Sequence, residues 1–319
     1  MISSIFLILM LCLLPSHACG TQDERGEGLS FVEHPASAPF PYDGPYDDTG
    51  KCFFDAIDPN TGIRSHTNRY GARFPEAEHY DDSSVFFHIP PHFSPEKPFM
   101  LLVFFHGLES DITKTERDYK ISELVDASGK NVILIMPQLA KNAADSSPGK
   151  FFGQNAFGTF MAEAAAILDR RIGEQYRPAL RAAPVLISAF SGGYKAAAYV
   201  LDRGGEGRRI RGVFLIDALY EDLEKFEKWI IDGAGHRSFV VLYTRGTEKN
   251  TYELADRLAG DGIKADWTWP ASLYAGKVNL IQSSNEHFMV PLLGPPDHPL
   301  SHFLNILSEE SAAKARSNP

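Results

Sequence analysis

Cysteine is scarce. Three residues in 319 are too few for a disulfide scaffold, and Cys12, Cys19 and Cys52 form no C-x-x-C pair of the kind that seeds zinc or redox sites. Positive charge is also short. Lys plus Arg number 31 against 41 Asp plus Glu, a formal charge of −10, which is the wrong sign for neutralising nucleic-acid phosphates or an anionic membrane surface. No period of 20 to 50 residues recurs, which excludes a repeat architecture. Long apolar runs are missing except at residues 5–14, and that run is about half of the roughly 20 residues a membrane-spanning helix requires. What is present is a chain 44% apolar, with aromatic residues throughout, enough material for a sizeable core. Length alone, at roughly 150 residues per domain, suggests about two domains.

The run at residues 5–14 is ended by Pro15 and followed by Ser16-His17-Ala18, small residues where a signal peptidase reads. Residues 1–18 therefore read as a signal peptide, and the expected location is secreted or periplasmic. Cys19 directly follows. It fits a lipid anchor, although Ser16 stands where that signal prefers Leu. In an oxidising compartment it could instead pair with Cys52, and the sequence leaves both readings open. Residues 19–72, rich in Pro and Gly over 36–50, read as an extended N-terminal arm laid over a surface. Residues 73–308 form the expected main domain, and 309–319 a polar C-terminal tail.

From Ser84 onward, β-branched and aromatic runs alternate with stretches of helical period. Strands are expected at residues 85–89, 99–105, 132–136, 185–189, 213–216, 239–243 and 278–281. Most are apolar throughout, as in a parallel sheet covered on both faces. Between them, Phe157, Phe160, Ala164, Ile167 and Leu168 share one helical face, and Leu223, Phe226, Trp229 and Ile230 another. The expected architecture is a doubly wound, mostly parallel α/β sheet flanked by helices. Right-handed crossovers gather the strand C-terminal ends on one edge, where ligands bind, so polar residues just after strands are the ones to inspect.

The strongest such signal is Ala189-Phe190-Ser191-Gly192-Gly193, between a strand and an Ala-rich helix. A serine nucleophile needs a sharp strand-to-helix turn with small residues two places before and after it. Ala189 and Gly193 meet that need, with Ala in place of the usual Gly. The bland alternative is a serine capping a helix. The Gly192 N–H lies at a helix start, free to donate to an oxyanion. Upstream, residues 99–105 run into His106-Gly107-Leu108, whose backbone at Leu108, with Gly107, is the candidate for a second oxyanion donor; His106 reads as a scaffold residue.

A serine hydroxyl requires a base. The order serine, acid, histidine leaves His236, His287, His298 and His302. His287, a few residues past the last strand, is on the edge where Ser191 would sit; His236 precedes a strand and falls on the wrong side. His298 and His302 have the look of a metal pair, but Pro299 as a first helical residue explains them more simply. No metal site is expected and no cofactor is called for. Two acids compete to orient the histidine: Asp217 at a strand tip and Glu248 after the next strand. The later loop is the commoner home of such an acid, whereas the short side chain on a rigid strand end favours Asp217. Asp145, Ser146, Phe151 and Phe152, in the loop after residues 132–136, form either part of a substrate pocket or a Pro-Gly turn tucked into the core.

Through Phe104-Phe105-His106-Gly107, Ala189-Phe190-Ser191-Gly192-Gly193 and the late His287, the chain resembles the α/β-hydrolase superfamily over about residues 73–307, and looks like an exported bacterial branch of it. The departures are Ala189 for Gly and no Asp in the usual loop. The resemblance implies acyl transfer to water: attack by Ser191, an acyl-enzyme, and hydrolysis with His287 shuttling the proton. The expected substrate is a small-molecule or cell-envelope carboxylic ester, with an amide or peptide as the lesser alternative, and with no nucleic-acid partner and no transmembrane helix. The alternatives are a non-catalytic binding protein on the same fold and a metal-dependent hydrolase. Only a helix-long insertion separates residues 216 and 239, so a small or absent lid is expected.

Overall fold

A computed structural model describes residues 28–273 and 275–307; the expected signal peptide, Cys19 and the tail at 309–319 lie outside the described residues. Eight strands form the central sheet: β1 (Leu29–Glu33), β2 (Val85–Ile89), β3 (Met100–Phe105), β4 (Val132–Pro137), β5 (Val185–Phe190), β6 (Ile210–Ile216), β7 (Ser238–Tyr243) and β8 (Val278–Gln282). Their spatial order is β1-β2-β4-β3-β5-β6-β7-β8. β2 runs antiparallel to β1 and β4, and the remaining pairs are parallel. The fold is a mostly parallel α/β sheet flanked by helices, as expected from its unbroken apolar strands.

The inner strands β3, β4, β5 and β7 are almost wholly apolar and buried from end to end because both of their faces are covered. Seven helices matter here: α1 (Ile112–Tyr119), α2 (Ile121–Ala127), α3 (Ala156–Ile172), α4 (Tyr194–Arg203), α5 (Leu223–Asp232), α6 (Glu248–Gly260) and α7 (Pro299–Ile306). Successive side chains on a strand point to opposite faces. Leu101, Val103 and Phe105 of β3 join a core with α3, α4, α5 and α6. Met100, Leu102 and Phe104 join a second core with α1, α2 and α7. The helical faces read from spacing are the buried ones: Phe157, Phe160, Ala164, Ile167 and Leu168 on α3, and Leu223, Phe226, Trp229 and Ile230 on α5. Each buried Phe or Leu stabilises the fold by about 1.5–3 kcal/mol before its entropy cost. Among the described residues, no helix is long and apolar enough to cross a membrane.

The segment before residue 73 does more than lie over a surface. β1, unmarked by any strong strand pattern, pairs with β2 and adds the eighth strand. The stretch at 36–50 does lie against the domain, since Glu163 on α3 accepts from the Ala36 and Ser37 N–H groups at 3.0 and 2.9 Å. Beyond it, Ala56–Ile57, Arg64–Thr67 and Arg73–Pro75 form a small antiparallel sheet. Phe40, Phe53 and Tyr80 bury with Ala140 and Ala143 as a third core. This satellite packs on the loop after β4, beside the edge where the ends of β3, β5, β6 and β8 converge.

Candidate active site

Ser191 follows β5 directly. Its φ of 51° is in the left-handed region, the strained turn that holds a serine hydroxyl off the end of a strand before a helix begins. The chain passes from there through a short 3-10 turn into α4. The two glycines are needed for close approach. A Cβ on Gly193 would lie 2.4 Å from the Phe105 carbonyl oxygen, and one on Gly192 2.4 Å from Leu108 Cδ2. Gly107 meets the turn from the other side, where a Cβ would come within 3.0 Å of Ser191 Cβ. The turns after β3 and β5 are thus in contact. Ala189 is fully buried between Phe105 and Leu215 in the sheet register, where a methyl group is tolerated.

Ser191, His287 and Asp217 come together from three strand ends. His287 Nε2 lies 2.8 Å from Ser191 Oγ, and Nδ1 lies 2.6 Å from Asp217 Oδ2. An ionised Asp217 only accepts, so Nδ1 carries the proton and the Nε2 lone pair faces the serine O–H. The imidazole is held by rings: Phe190 stacks on it at 5.0 Å, Phe288 meets it edge-on at 5.0 Å, and Tyr220 stands 6.3 Å away.

Asp217 is fully buried, which alone would push its carboxyl pKa up. Hydrogen bonds from His287, Thr247 and Thr244 outweigh that burial and hold it below the ordinary carboxylate range. Oδ1 accepts from the Thr244 N–H at 2.9 Å and from Thr247 Oγ1 at 2.5 Å, while Oδ2 accepts from Thr244 Oγ1 at 2.7 Å. Both threonines belong to the loop after β7, where the rival Glu248 was sought. Glu248 instead starts α6, and its Oε1 accepts from Gln282 Nε2 at 3.2 Å. The structure brings Asp217 to His287 and leaves Glu248 away from it.

His106 sits where a scaffold residue is expected. Its Nδ1–H donates to the Gly107 carbonyl at 2.8 Å, and Nε2 accepts from the Leu139 N–H and from Gln138 Nε2, both at 2.9 Å. Complete burial lowers its pKa to about 4, so the ring is neutral and ties the β3 turn to the β4 loop. His298 precedes α7, and the His302 ring meets Trp269 edge-on at 4.8 Å.

A cavity of about 560 Å³ opens beside the serine, bordered by Gly107, Leu108, Tyr119, Phe190, Ser191, His287 and Phe288. That size is in the range of small-molecule sites. The substrate-pocket reading of the loop after β4 is corrected here. Phe151 is buried against Phe105, Phe157 and Phe160, and Phe152 against Tyr42, Tyr46 and Tyr199. The turn at Gly149–Phe152 aims both rings inward. Asp145 is buried, accepting from the Tyr80 hydroxyl at 3.0 Å and from Ser147 Oγ at 2.9 Å. Ser146 is half-buried and is not among the residues bordering the cavity, whereas Ala144 is. Sequence reasoning missed the α1 wall of Lys114, Asp118 and Tyr119, and also Phe288. Phe288 is 69% exposed although aromatic, and its place directly after His287 was the available signal.

No family model matches the sequence, and no curated protein does. Among solved structures, FphF, a fluorophosphonate-binding serine hydrolase of Staphylococcus aureus, is similar with a TM-score of 0.48 and 12% identity, over 90% of this chain and 99% of that one. The feruloyl esterase module from Clostridium thermocellum complexed with sinapinate gives a TM-score of 0.46 and 12% identity, over 84% and 94% of the two chains. The S-formylglutathione hydrolase FrmB from Staphylococcus aureus gives 0.48 and 10%, over 89% and 98%. The sheet has eight strands in the order given above, an antiparallel second strand, and a serine turn between β5 and a helix. This is the α/β-hydrolase fold. In an α/β-hydrolase sheet of this order, Ser191 follows β5, Asp217 β6 and His287 β8.

Proposed function

We propose that this protein is a serine hydrolase of carboxylic esters. The observation that carries the reading is the unbroken chain Ser191 Oγ, His287 Nε2, His287 Nδ1, Asp217 Oδ2, opening onto a cavity. Ser191 Oγ attacks the ester carbonyl while His287 Nε2 takes its proton. The developing oxyanion accepts from the Leu108 and Gly192 N–H groups. Asp217 fixes the imidazole tautomer and stabilises the imidazolium. His287 then gives the proton to the departing alcohol, leaving Ser191 acylated. Water, deprotonated by His287, attacks the acyl carbon and restores the serine.

A fluorophosphonate probe tests this directly. Wild type becomes covalently labelled and Ser191→Ala does not. Folded wild type that resists the probe, or a Ser191→Ala variant that still reacts, would sink the reading. Turnover of p-nitrophenyl acetate without matching turnover of the anilide separates ester from amide chemistry. Export rests on the apolar run at residues 5–14 and the Ser16-His17-Ala18 site. It brings small-molecule and cell-envelope esters within reach as substrates, and N-terminal sequencing of the mature protein should then start at Cys19, blocked if that residue is lipidated.

A further inference from the structure

The insertion that often carries a cap in such sheets is a single helix here, α5, yet a hairpin from the N-terminal segment stands beside the cavity. Arg64–Thr67 and Arg73–Pro75 pair as an antiparallel hairpin, with Thr67 opposite Arg73. Its base is held by the Arg64 ion pairs to Asp43 and Glu76, and His66 stacks on Phe53 at 4.3 Å. The tip at residues 68–72 is self-bonded. Asn68 Oδ1 accepts from the Tyr70 and Ala72 N–H groups at 3.0 and 2.9 Å, and Gly71 supplies the left-handed turn at φ 82°.

This tip is tied to both flanks of the serine. On one side Asn68 Nδ2 donates to the carbonyl of Ala144 at 2.8 Å, and Ala144 borders the cavity. On the other, the Arg69 guanidinium pairs with Glu221. Glu221 also accepts from the Tyr194 hydroxyl at 2.8 Å, and Tyr194 opens the helix that follows Ser191. The Tyr194 ring lies 5.9 Å from Tyr220, which stands beside His287. The tip therefore lies beside the cavity at Ala144 and beside the start of α4 at Glu221 and Tyr194.

The chemistry of the tip is specific. Tyr70 is 73% exposed, with the Arg69 guanidinium 4.7 Å from its ring centre and donating to its hydroxyl at 2.5 Å. The Arg69 charge is spent on Glu221, so the pair exerts little net pull on an anion. What it offers is a ring face and spare N–H donors. A ring face packs against C–H surfaces, and the donors satisfy hydroxyls.

On the serine-esterase reading, we infer that the Asn68–Ala72 tip, flanking the cavity at Ala144, sets specificity for the leaving alcohol, with Arg69 and Tyr70 taking its neutral, hydroxyl-bearing portion, glycosyl or glyceryl in kind. The test compares kcat and KM for 6-O-acetylglucose and glycerol monoacetate against p-nitrophenyl acetate, in wild type, Tyr70→Ala and Arg69→Ala. Tyr70 is exposed, so its truncation leaves the fold intact. The loss in kcat/KM for the hydroxylated esters exceeds that for p-nitrophenyl acetate by about ten-fold, and it resides in KM, the signature of lost ground-state binding. Parallel losses on all three esters, or none on the hydroxylated pair, overturn the inference while leaving the esterase reading standing. A wild type that neither turns over p-nitrophenyl acetate nor takes up fluorophosphonate breaks the esterase reading instead.

Discussion

The loops after β6 and β7 lie side by side at the sheet edge and serve the same imidazole, yet they contribute opposite halves of one interaction. The β6 loop supplies the charge. Asp217 stands at the strand tip with φ 44°, fully buried, and its own N–H donates to the Leu242 carbonyl at 2.6 Å. The β7 loop supplies donors: the Thr244 N–H, Thr244 Oγ1 and Thr247 Oγ1 all point at that carboxylate. A buried carboxylate is costly unless its oxygens are satisfied. With four donors, counting His287, this one stays ionised without solvent. The position of an acid along the chain therefore matters less than whether a neighbouring loop can solvate it. Here the acid stands at the tip of β6 and three of its four donors come from the loop after β7.

The sharpest way to break that division is Asp217→Asn. The amide keeps the shape but presents an NH₂ to Nδ1, which turns the imidazole to its other tautomer and points Nε2–H at Ser191. If Asp217 plays the part proposed, kcat on p-nitrophenyl acetate falls by about 10³–10⁴, as for the same exchange in serine triads. A loss under about ten-fold would mean that Asp217 does not orient His287. Thr247→Val strips one donor from Oδ1 while keeping the buried volume. It should lower kcat by roughly ten-fold with KM nearly constant, since a charge-assisted hydrogen bond contributes about 1.5–3 kcal/mol and only part of that acts through the histidine. An unchanged kcat would reduce the β7 loop to a structural prop.

Legibility in the sequence divided along the same physical lines. The seven strands from residue 85 onward announced themselves because most of their residues are buried, leaving apolar runs with little polar interruption. β1 was hidden: it is an edge strand whose Leu29 and Val32 are exposed, so it carries no buried pattern and is specified by pairing with β2. Ser191 and His287 were legible from order and small neighbours. Asp217 was half legible, because the hydroxyls that stabilise it come from residues 27 and 30 positions away, and no local pattern marks them. Phe151 and Phe152 misled for the converse reason. Beside Pro and Gly they read as exposed loop aromatics, but a turn aims Phe151 into a core built from β3 and α3 and Phe152 against Tyr42, Tyr46 and Tyr199. The hairpin beside the cavity was least legible, since it comes from a segment over a hundred residues before Ser191.

A smaller effect concerns stability. The folded pKa of Asp217 is depressed, so the folded state binds fewer protons than the unfolded chain near pH 4. Its contribution is complete above the unfolded value of about 3.9 and is lost as pH falls through the lower folded value. Urea unfolding followed from pH 6 to pH 3 therefore shows a steeper acid decline for wild type than for Asp217→Asn. Identical slopes would contradict an ionised, hydrogen-bonded carboxylate.

Least of all should change with Glu248→Gln, and that near-silence separates the two loops most cleanly. Glu248 lies in the loop-and-helix segment where such an acid commonly sits, so a reading by chain position assigns it the larger role. Its carboxylate bonds Gln282 at the surface instead. The amide retains an acceptor oxygen for that contact, and an exposed polar bond of this kind contributes at most about 1 kcal/mol. Both kcat and KM should therefore stay within about two-fold of wild type. A loss comparable to that of Asp217→Asn would show the two loops exchanging roles during turnover, with Glu248 swinging toward His287, and would undo the division of charge and donors between them.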